Sequence, residues 1–298
     1  MKRWLVLALA LAAAQVQALD LQGHRGARGL LPENTLPAFE RALALGVTTL
    51  ELDVGMTRDG VLVISHDPAL NPDITRDAGG RYLEQRGPAI HALTWIQLQS
   101  YDVGRIKPGT DYARQFPEQQ PVDGTRIPRL ADLFDLVRRS GDSVVRFDIE
   151  TKLSPDKPGE TPLPEPFARA LVDEIRRAGM ASRCVVQSFD WRTLQVVQRI
   201  APEIPTAYLT PRGFQHPDHG SVPRMIKAAG GSHWSANFRD LDAQKVKEAQ
   251  SLGLKVLAWT VNDPAQMARV LDFGVDGLIT DRPDLARALL ESRGVRWR

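Results

Sequence analysis

The chain has 298 residues, with 38 Lys plus Arg against 36 Asp plus Glu, 43% hydrophobic residues and one cysteine. This composition excludes a disordered chain, a collagen-like repeat and a disulfide-stapled scaffold, while the length allows one large barrel or sandwich or two average domains. A net charge of +2 gives no basic excess that points to nucleic acid.

Lys2 and Arg3 precede an apolar run from Trp4 to Ala14 and a small-residue ending at Val16-Gln17-Ala18. That order predicts a secretory signal peptide over 1–18, with an uncleaved anchor as the alternative. The run is shorter than the ~20 apolar residues a spanning helix needs, and no later stretch approaches that length, so no stable membrane insertion is expected. Cleavage after Ala18 would remove two basic residues and no acidic one, leaving 36 against 36. The expected mature protein is therefore a neutral, periplasmic or secreted single catalytic domain over 19–298.

From there, short β-branched or apolar runs alternate with helical patterns. Leu19–Gly23 leads to Leu36–Leu45, Thr48–Val54 to Leu130–Arg139, Ser143–Glu150 to Pro166–Ala178, and Arg183–Ser188 to Trp191–Ile200. Pro205–Leu209 leads to Val222–Ala229, Ser232–Ala236 to Asp242–Leu252, Lys255–Val261 to Pro264–Phe273, and Gly277–Thr280 to Pro283–Leu290. Gly46, Gly141, Gly179, Gly230, Gly253 and Gly274 follow helices where a left-handed residue ends them. Eight such units predict an α/β fold, a (β/α)8 TIM-like barrel, in preference to a doubly wound open sheet.

Two stretches interrupt the rhythm. After the small strand Val61–Ser65, residues 67–128 are rich in Pro, Gly, Asp and Arg, and read as a small subdomain or lid inserted after the second strand. The polar segment Thr210 to Ser221 contains His216 and His219 and reads as a solvated loop rather than a metal site. Cys184, in an apolar strand-like context, reads as an inert core thiol.

A (β/α)8 barrel collects its chemistry at the C-terminal ends of its strands. The first strand ends in Gly23-His24-Arg25-Gly26, an acid or base beside a guanidinium suited to phosphate. In the second, alternation turns Glu51 and Asp53 to one side and Leu50 and Leu52 to the other. The third repeats the pattern, with Asp148, Glu150 and Lys152 on one face and Phe147 and Ile149 on the other; Lys152 pairing with these acids in a buried packing role is the alternative there. Glu51, Asp53 and Glu150 together offer hard oxygen ligands without thiolate, which suits Ca²⁺ or Mg²⁺. Ser65-His66-Asp67 supplies a second histidine, and later strand ends supply Gln187, Trp234, Trp259 with Asn262, and Asp281. For Trp259, core packing and a ligand platform both stay open. Two histidines, an arginine, a lysine and a three-carboxylate cation site are the parts needed for displacement at phosphorus.

In this order the motifs resemble the glycerophosphodiester phosphodiesterases from roughly Gly23 to Pro283. The match runs through His24-Arg25-Gly26, Pro32-Glu33-Asn34-Thr35, Glu51-Leu52-Asp53, Thr57-Arg58-Asp59-Gly60 and Ser65-His66-Asp67. It continues through Ile127-Pro128-Arg129-Leu130, Ile149-Glu150-Thr151-Lys152, Trp259-Thr260-Val261-Asn262, Gly274-Val275-Asp276-Gly277 and Thr280-Asp281-Arg282-Pro283. Asp148 and Gly55 depart from the family's usual residues. The resemblance implies hydrolysis of small glycerophosphodiesters to sn-glycerol 3-phosphate and an alcohol with one divalent cation, Ca²⁺ or Mg²⁺. It implies His24 and His66 as the acid–base pair, Glu51, Asp53 and Glu150 as metal ligands, and Arg25 and Lys152 on phosphate, with Gln187 and Trp259 as further substrate contacts. A lysophospholipase D-type activity and a non-catalytic exported binding barrel are the alternatives; a retaining glycosidase would leave both histidines, Arg25 and Lys152 without a role.

Overall fold

The computed structural model describes residues 18–157, 159–215 and 220–298. The leader reading and the reading of His216 and His219 concern residues outside the described ones. Eight parallel strands close a barrel: β1 (Asp20–Gly23), β2 (Thr49–Met56), β4 (Arg146–Thr151), β5 (Cys184–Ser188), β6 (Thr206–Thr210), β7 (His233–Asn237), β8 (Lys255–Trp259) and β9 (Gly277–Thr280), with β9 pairing back onto β1. A short strand, β3 (Leu62–Ile64), folds antiparallel onto the far end of β2. This pairing explains why β2 runs to Met56 rather than stopping at Val54: Gly55 and Met56 face Val63 and Leu62.

Around the barrel run α1 (Leu36–Ala44), α4 (Leu130–Ser140), α5 (Pro164–Arg177), α6 (Trp191–Ile200), α7 (Val222–Ala228), α8 (Ala243–Ser251), α9 (Pro264–Asp272) and α10 (Pro283–Ser292). Between β3 and α4 lie α2 (Trp95–Leu98) and α3 (Asp111–Gln115). Sequence punctuation sets the ends: Thr35 caps α1, Asp190 caps α6, and Gly141 closes α4 at φ 74°. β4 begins at Arg146, three residues later than the Ser143 expected from its β-branched run, because the Asp142 carboxylate accepts from the Val144 and Val145 amides and holds them in a turn.

The hydrophobic core lies between strands and helices. Leu50, Leu52, Phe147 and Ile149 point outward from β2 and β4 and are fully buried, as are Leu130, Leu133, Phe134 and Val137 on the inner face of α4. Phe134 meets Phe147 edge to face at 5.0 Å, and truncating either to Ala would cost about 3–5 kcal/mol. Cys184 is buried in this layer and burial pushes its thiol pKa up, which makes it unreactive. The inserted residues after β3 pack on Val63 of that strand in a small core of their own, with Leu70, Ile90, Leu98, Val103 and Ile127.

The alternate residues point into the barrel, and strand register aligns the acids. Glu51 pairs with Asp148, Asp53 with Glu150, and Glu150 with Gln187. Among the described residues no helix is long and apolar enough to cross a membrane.

Candidate active site

At the C-terminal end of β2 and β4, one oxygen from each of Glu51, Asp53 and Glu150 lies within 4.8 Å of the other two. All three side chains are buried. Such close carboxylates repel unless they are protonated, paired or bridged by a cation, and they are compensated unequally. Asp53 has Arg25 Nε 3.1 Å and Lys152 Nζ 3.5 Å away and accepts from the Asn34 amide at 2.9 Å. Glu150 accepts from Lys152 Nζ at 2.6 Å. Glu51 has no cation in hydrogen-bonding contact and accepts from the Arg25 backbone N–H and the Gln187 amide, both at 2.9 Å. Burial and the charges of Asp53 and Glu150 accordingly push the Glu51 pKa well up, whereas Arg25 and Lys152 outweigh burial at Asp53 and hold it well below the usual range.

Two residues take left-handed backbone to build this corner, Arg25 at φ 51° and Asn34 at φ 56°. Each costs on the order of 1–3 kcal/mol, the kind of strain found at functional sites. The Arg25 turn aims its backbone N–H at Glu51 and its guanidinium at Glu33 (2.8 Å) and Asp53.

His24 leaves the end of β1 beside them. Its Nδ1 sits 2.6 Å from Asp281 Oδ1. Because a carboxylate there only accepts, Nδ1 carries the hydrogen and the Nε2 lone pair is left toward the acids, 3.8 Å from Glu51 Oε2. Burial and the adjacent Arg28 lower the His24 pKa to about 4, outweighing Asp281, so the ring is neutral near pH 7. His66 follows β3, about one-third exposed, with its Nδ1 held 2.7 Å from Asp67. Asp67 in turn accepts from Asn71 at 2.8 Å.

These groups share one cavity of about 250 Å³. Its lining combines the polar side chains of His24, Arg25, Arg28, Glu51, Glu150, Lys152 and His66 with the apolar ones of Phe189, Leu209, Trp259 and Ile279. Trp259 lines it while its indole N–H donates to the Ser235 carbonyl, and Phe189, 42% exposed, meets Trp259 edge to face at 5.5 Å. Gln187 lines the cavity floor as the partner of Glu51. Trp234 stands apart: it is buried and its indole donates to Thr210 beside a different cleft.

Four contributors are not among the site residues expected from the sequence. Arg28 and Phe189 line the cavity, and Glu33 and Tyr112 brace it, the Tyr112 hydroxyl donating to Glu33, which also accepts from Arg25. Glu33 stands within the Pro32-Glu33-Asn34-Thr35 motif, but Tyr112 lies 79 positions from its partner and has no local signal.

Residues 24–285 match the model of the glycerophosphoryl diester phosphodiesterase family. The chain belongs to that family. It is 30% identical over 271 residues to the glycerophosphodiester phosphodiesterase of Caldanaerobacter subterraneus subsp. tengcongensis, covering 91% of this chain and 97% of the relative. The Bacillus subtilis glycerophosphodiester phosphodiesterase is 28% identical, with 88% and 83% covered. Among solved structures, one from Silicibacter pomeroyi named for the same activity superposes with a TM-score of 0.88 at 37% identity, covering 95% of this chain and 96% of that one. An Oleispira antarctica phosphodiesterase, solved with the product sn-glycerol-3-phosphate, shares the fold at a TM-score of 0.70 and 21% identity.

As an enzyme of the glycerophosphodiester phosphodiesterase class, the protein has a site whose chemistry fits a metal ion. The donors are three converging carboxylates, all oxygen, and Asp53 Oδ1 is buried without a hydrogen-bond partner. Oxygen-only donors of this kind suit a hard divalent cation.

Proposed function

We propose that the protein hydrolyses deacylated glycerophosphodiesters such as glycerophosphocholine and glycerophosphoethanolamine to sn-glycerol 3-phosphate and the free alcohol, using one Ca²⁺ or Mg²⁺ and a histidine pair. The observation that carries this reading is the shared cavity, in which His24 and His66 flank the Glu51, Asp53 and Glu150 cluster beside Lys152, Arg25 and Arg28. The cavity, about 250 Å³ and lined mainly by charged and polar groups around the acids, suits the polar head of a deacylated diester.

Glu51, Asp53 and Glu150 hold the cation, which when bound neutralises charge on the phosphoryl oxygens. Lys152 Nζ and the Arg25 guanidinium add positive charge on the same side and orient the diester. His24, neutral with its Nε2 lone pair toward the site, takes a proton from the attacking hydroxyl or water as the new P–O bond forms. His66, oriented by Asp67, gives a proton to the departing alcohol oxygen as the old P–O bond breaks. Attack by the free glycerol hydroxyl would give a cyclic phosphate first; phosphorus NMR of a slow variant would reveal it, and labelled solvent oxygen entering in the first turnover without that intermediate would exclude it.

The His assignment is tested with alcohols of different acidity. A leaving group of low pKa should rescue His66→Ala far more than His24→Ala, and equal rescue would refute the roles.

The reading also includes export: the basic, apolar and small-residue order of residues 1–18 supports removal of that segment, leaving a single catalytic domain over 19–298. A mature N-terminus at Leu19 in the periplasmic or secreted fraction is the expected result, and an intact Met1 in the cytoplasm would refute it.

A further inference from the structure

Arg28 is spent in an unusual way for a cation that lines a phosphate-sized cavity. Its Nε donates to Asp281 Oδ1 at 2.9 Å and its Nη2 to Asp281 Oδ2 at 3.1 Å, a bidentate grip. Asn262 donates to the same Oδ2 at 2.6 Å and His24 Nδ1 approaches Oδ1 at 2.6 Å. Four donors meet a carboxylate with about four acceptor positions, so Asp281 is saturated and has no freedom to rotate. Arg28 Nη2 also lies 3.2 Å from His24 Nδ1, close enough to donate there if Asp281 moved away, and that would force the hydrogen of the ring onto Nε2.

The inserted residues hold Arg28 in this pose. Phe116 packs under its guanidinium, 4.7 Å from ring centre to Cζ, and the Gln119 amide donates to its backbone carbonyl at 2.7 Å. Gly29 lets this turn approach β9: its N–H donates to the Asp281 carbonyl at 2.9 Å, and a Cβ at this position would stand 2.7 Å from that oxygen.

We infer that Arg28 is a positioning residue for the reaction, which clamps Asp281 so that His24 is held as the Nδ1–H tautomer with its Nε2 lone pair facing the substrate, and that the inserted segment serves catalysis by seating Arg28 through Phe116 and Gln119. This rests on the diesterase reading above for its kinetic consequence, although the tautomer itself does not depend on that reading. Arg28 acts through Asp281 and His24; its removal lowers turnover rather than substrate affinity.

The test pairs ¹⁵N NMR of the His24 ring, identified with a His24→Gln variant, with glycerophosphocholine kinetics on Arg28→Met, Arg28→Lys and Phe116→Leu. The wild type should show one Nδ1–H tautomer near pH 7. Arg28→Met should give a mixture of tautomers, with kcat down roughly 10- to 100-fold and KM within about threefold, the scale for groups that orient a functional side chain. Arg28→Lys, which keeps the charge but not the fork, should recover only part, and Phe116→Leu should move both readouts the same way by a smaller factor. If Arg28→Met does not fold, the other two variants carry the comparison. An unchanged tautomer in all variants would overturn the inference, as would a large rise in KM at unchanged kcat, which would make Arg28 a phosphate ligand. A wild type that hydrolyses no glycerophosphodiester would refute the diesterase reading and leave the NMR result to decide this one.

Discussion

Replacing Glu51 with Gln should stabilise the cation-free protein at pH 7 while abolishing its response to cation. Glu51 is the acid of the cluster with no cation of its own, since Arg25 and Lys152 are committed to Asp53 and Glu150. Two full charges 4.8 Å apart at an effective dielectric of about 20 repel by about 3.5 kcal/mol, and Glu51 faces two such neighbours. Protonation of Glu51, favoured by its raised pKa, relieves that repulsion, at a cost at pH 7 of up to about 3.4 kcal/mol for a group whose ordinary pKa is 4.5. A glutamine carries no such cost. Its oxygen can accept from the Arg25 N–H while its NH₂ faces Gln187, whose own amide oxygen is buried without a partner and can turn to accept. The expected gain is about 2–3 kcal/mol, or roughly 3–5 °C in Tm. Because the folded pKa of Glu51 is raised, its favourable contribution is fully present below the unfolded pKa of about 4.5 and is lost as pH rises above it. The advantage of the variant must therefore shrink between pH 7 and pH 5. Thermal unfolding in chelator at both pH values reads this directly. Added Ca²⁺ or Mg²⁺ at a hundredfold excess over Kd should stabilise the wild type by about 2.7 kcal/mol and leave the variant unmoved. A variant less stable than wild type in chelator at pH 7, or an advantage that does not fall by pH 5, would refute the reasoning.

Asp281→Asn should lower kcat by at least tenfold, because an amide in the place of the carboxylate lets the His24 ring take either tautomer, and should lower Tm as well, because the largely buried Arg28 guanidinium loses its carboxylate partner; a kcat within twofold of wild type would contradict the His24 assignment. With His24 depressed to about 4, the limb of log kcat due to protonation of the base should fall only as pH approaches 4 at saturating cation, and a break near 6.5 would show that His24 is not held neutral by its surroundings. Lys152→Met removes the cation that Glu150 and Asp53 share, so cation affinity measured by calorimetry should rise while kcat/KM falls, and unchanged affinity would argue that Lys152 does not compensate the acids.

Much of the fold is legible in the sequence because a barrel strand is a local object. Apolar runs and their Gly, Pro and Asp boundaries locate the eight strands of the barrel within one to three residues at most ends, and period-two alternation alone puts Glu51 and Asp53 on one side of their strand and Glu150 on one side of its own. The differences at strand ends have local causes that a run of β-branched residues does not reveal: the Asp142 turn shortens β4, and pairing with β3 lengthens β2. The site beyond the acids is less legible, because it is assembled from contacts between distant segments. Asp281 is recognisable as a strand-end acid, but its grip by Arg28 spans 253 positions and its contact with His24 spans 257. Arg28 itself sits four residues after His24 in a turn with no strand or helix periodicity, and Phe116 reaches it from a segment whose composition marks it simply as an insertion. The residue type of Arg25 suggests a phosphate ligand, whereas its guanidinium is already engaged by Glu33 and Asp53 while lining the same cavity.

The most direct test of the central claim is release of sn-glycerol 3-phosphate from glycerophosphocholine and glycerophosphoethanolamine by the mature protein, in chelator and after Ca²⁺ or Mg²⁺ is restored. The account predicts product that disappears with chelator, returns with one of the cations, and is absent in Glu51→Gln under every condition. Undiminished release in chelator, or no release with either cation, would contradict it.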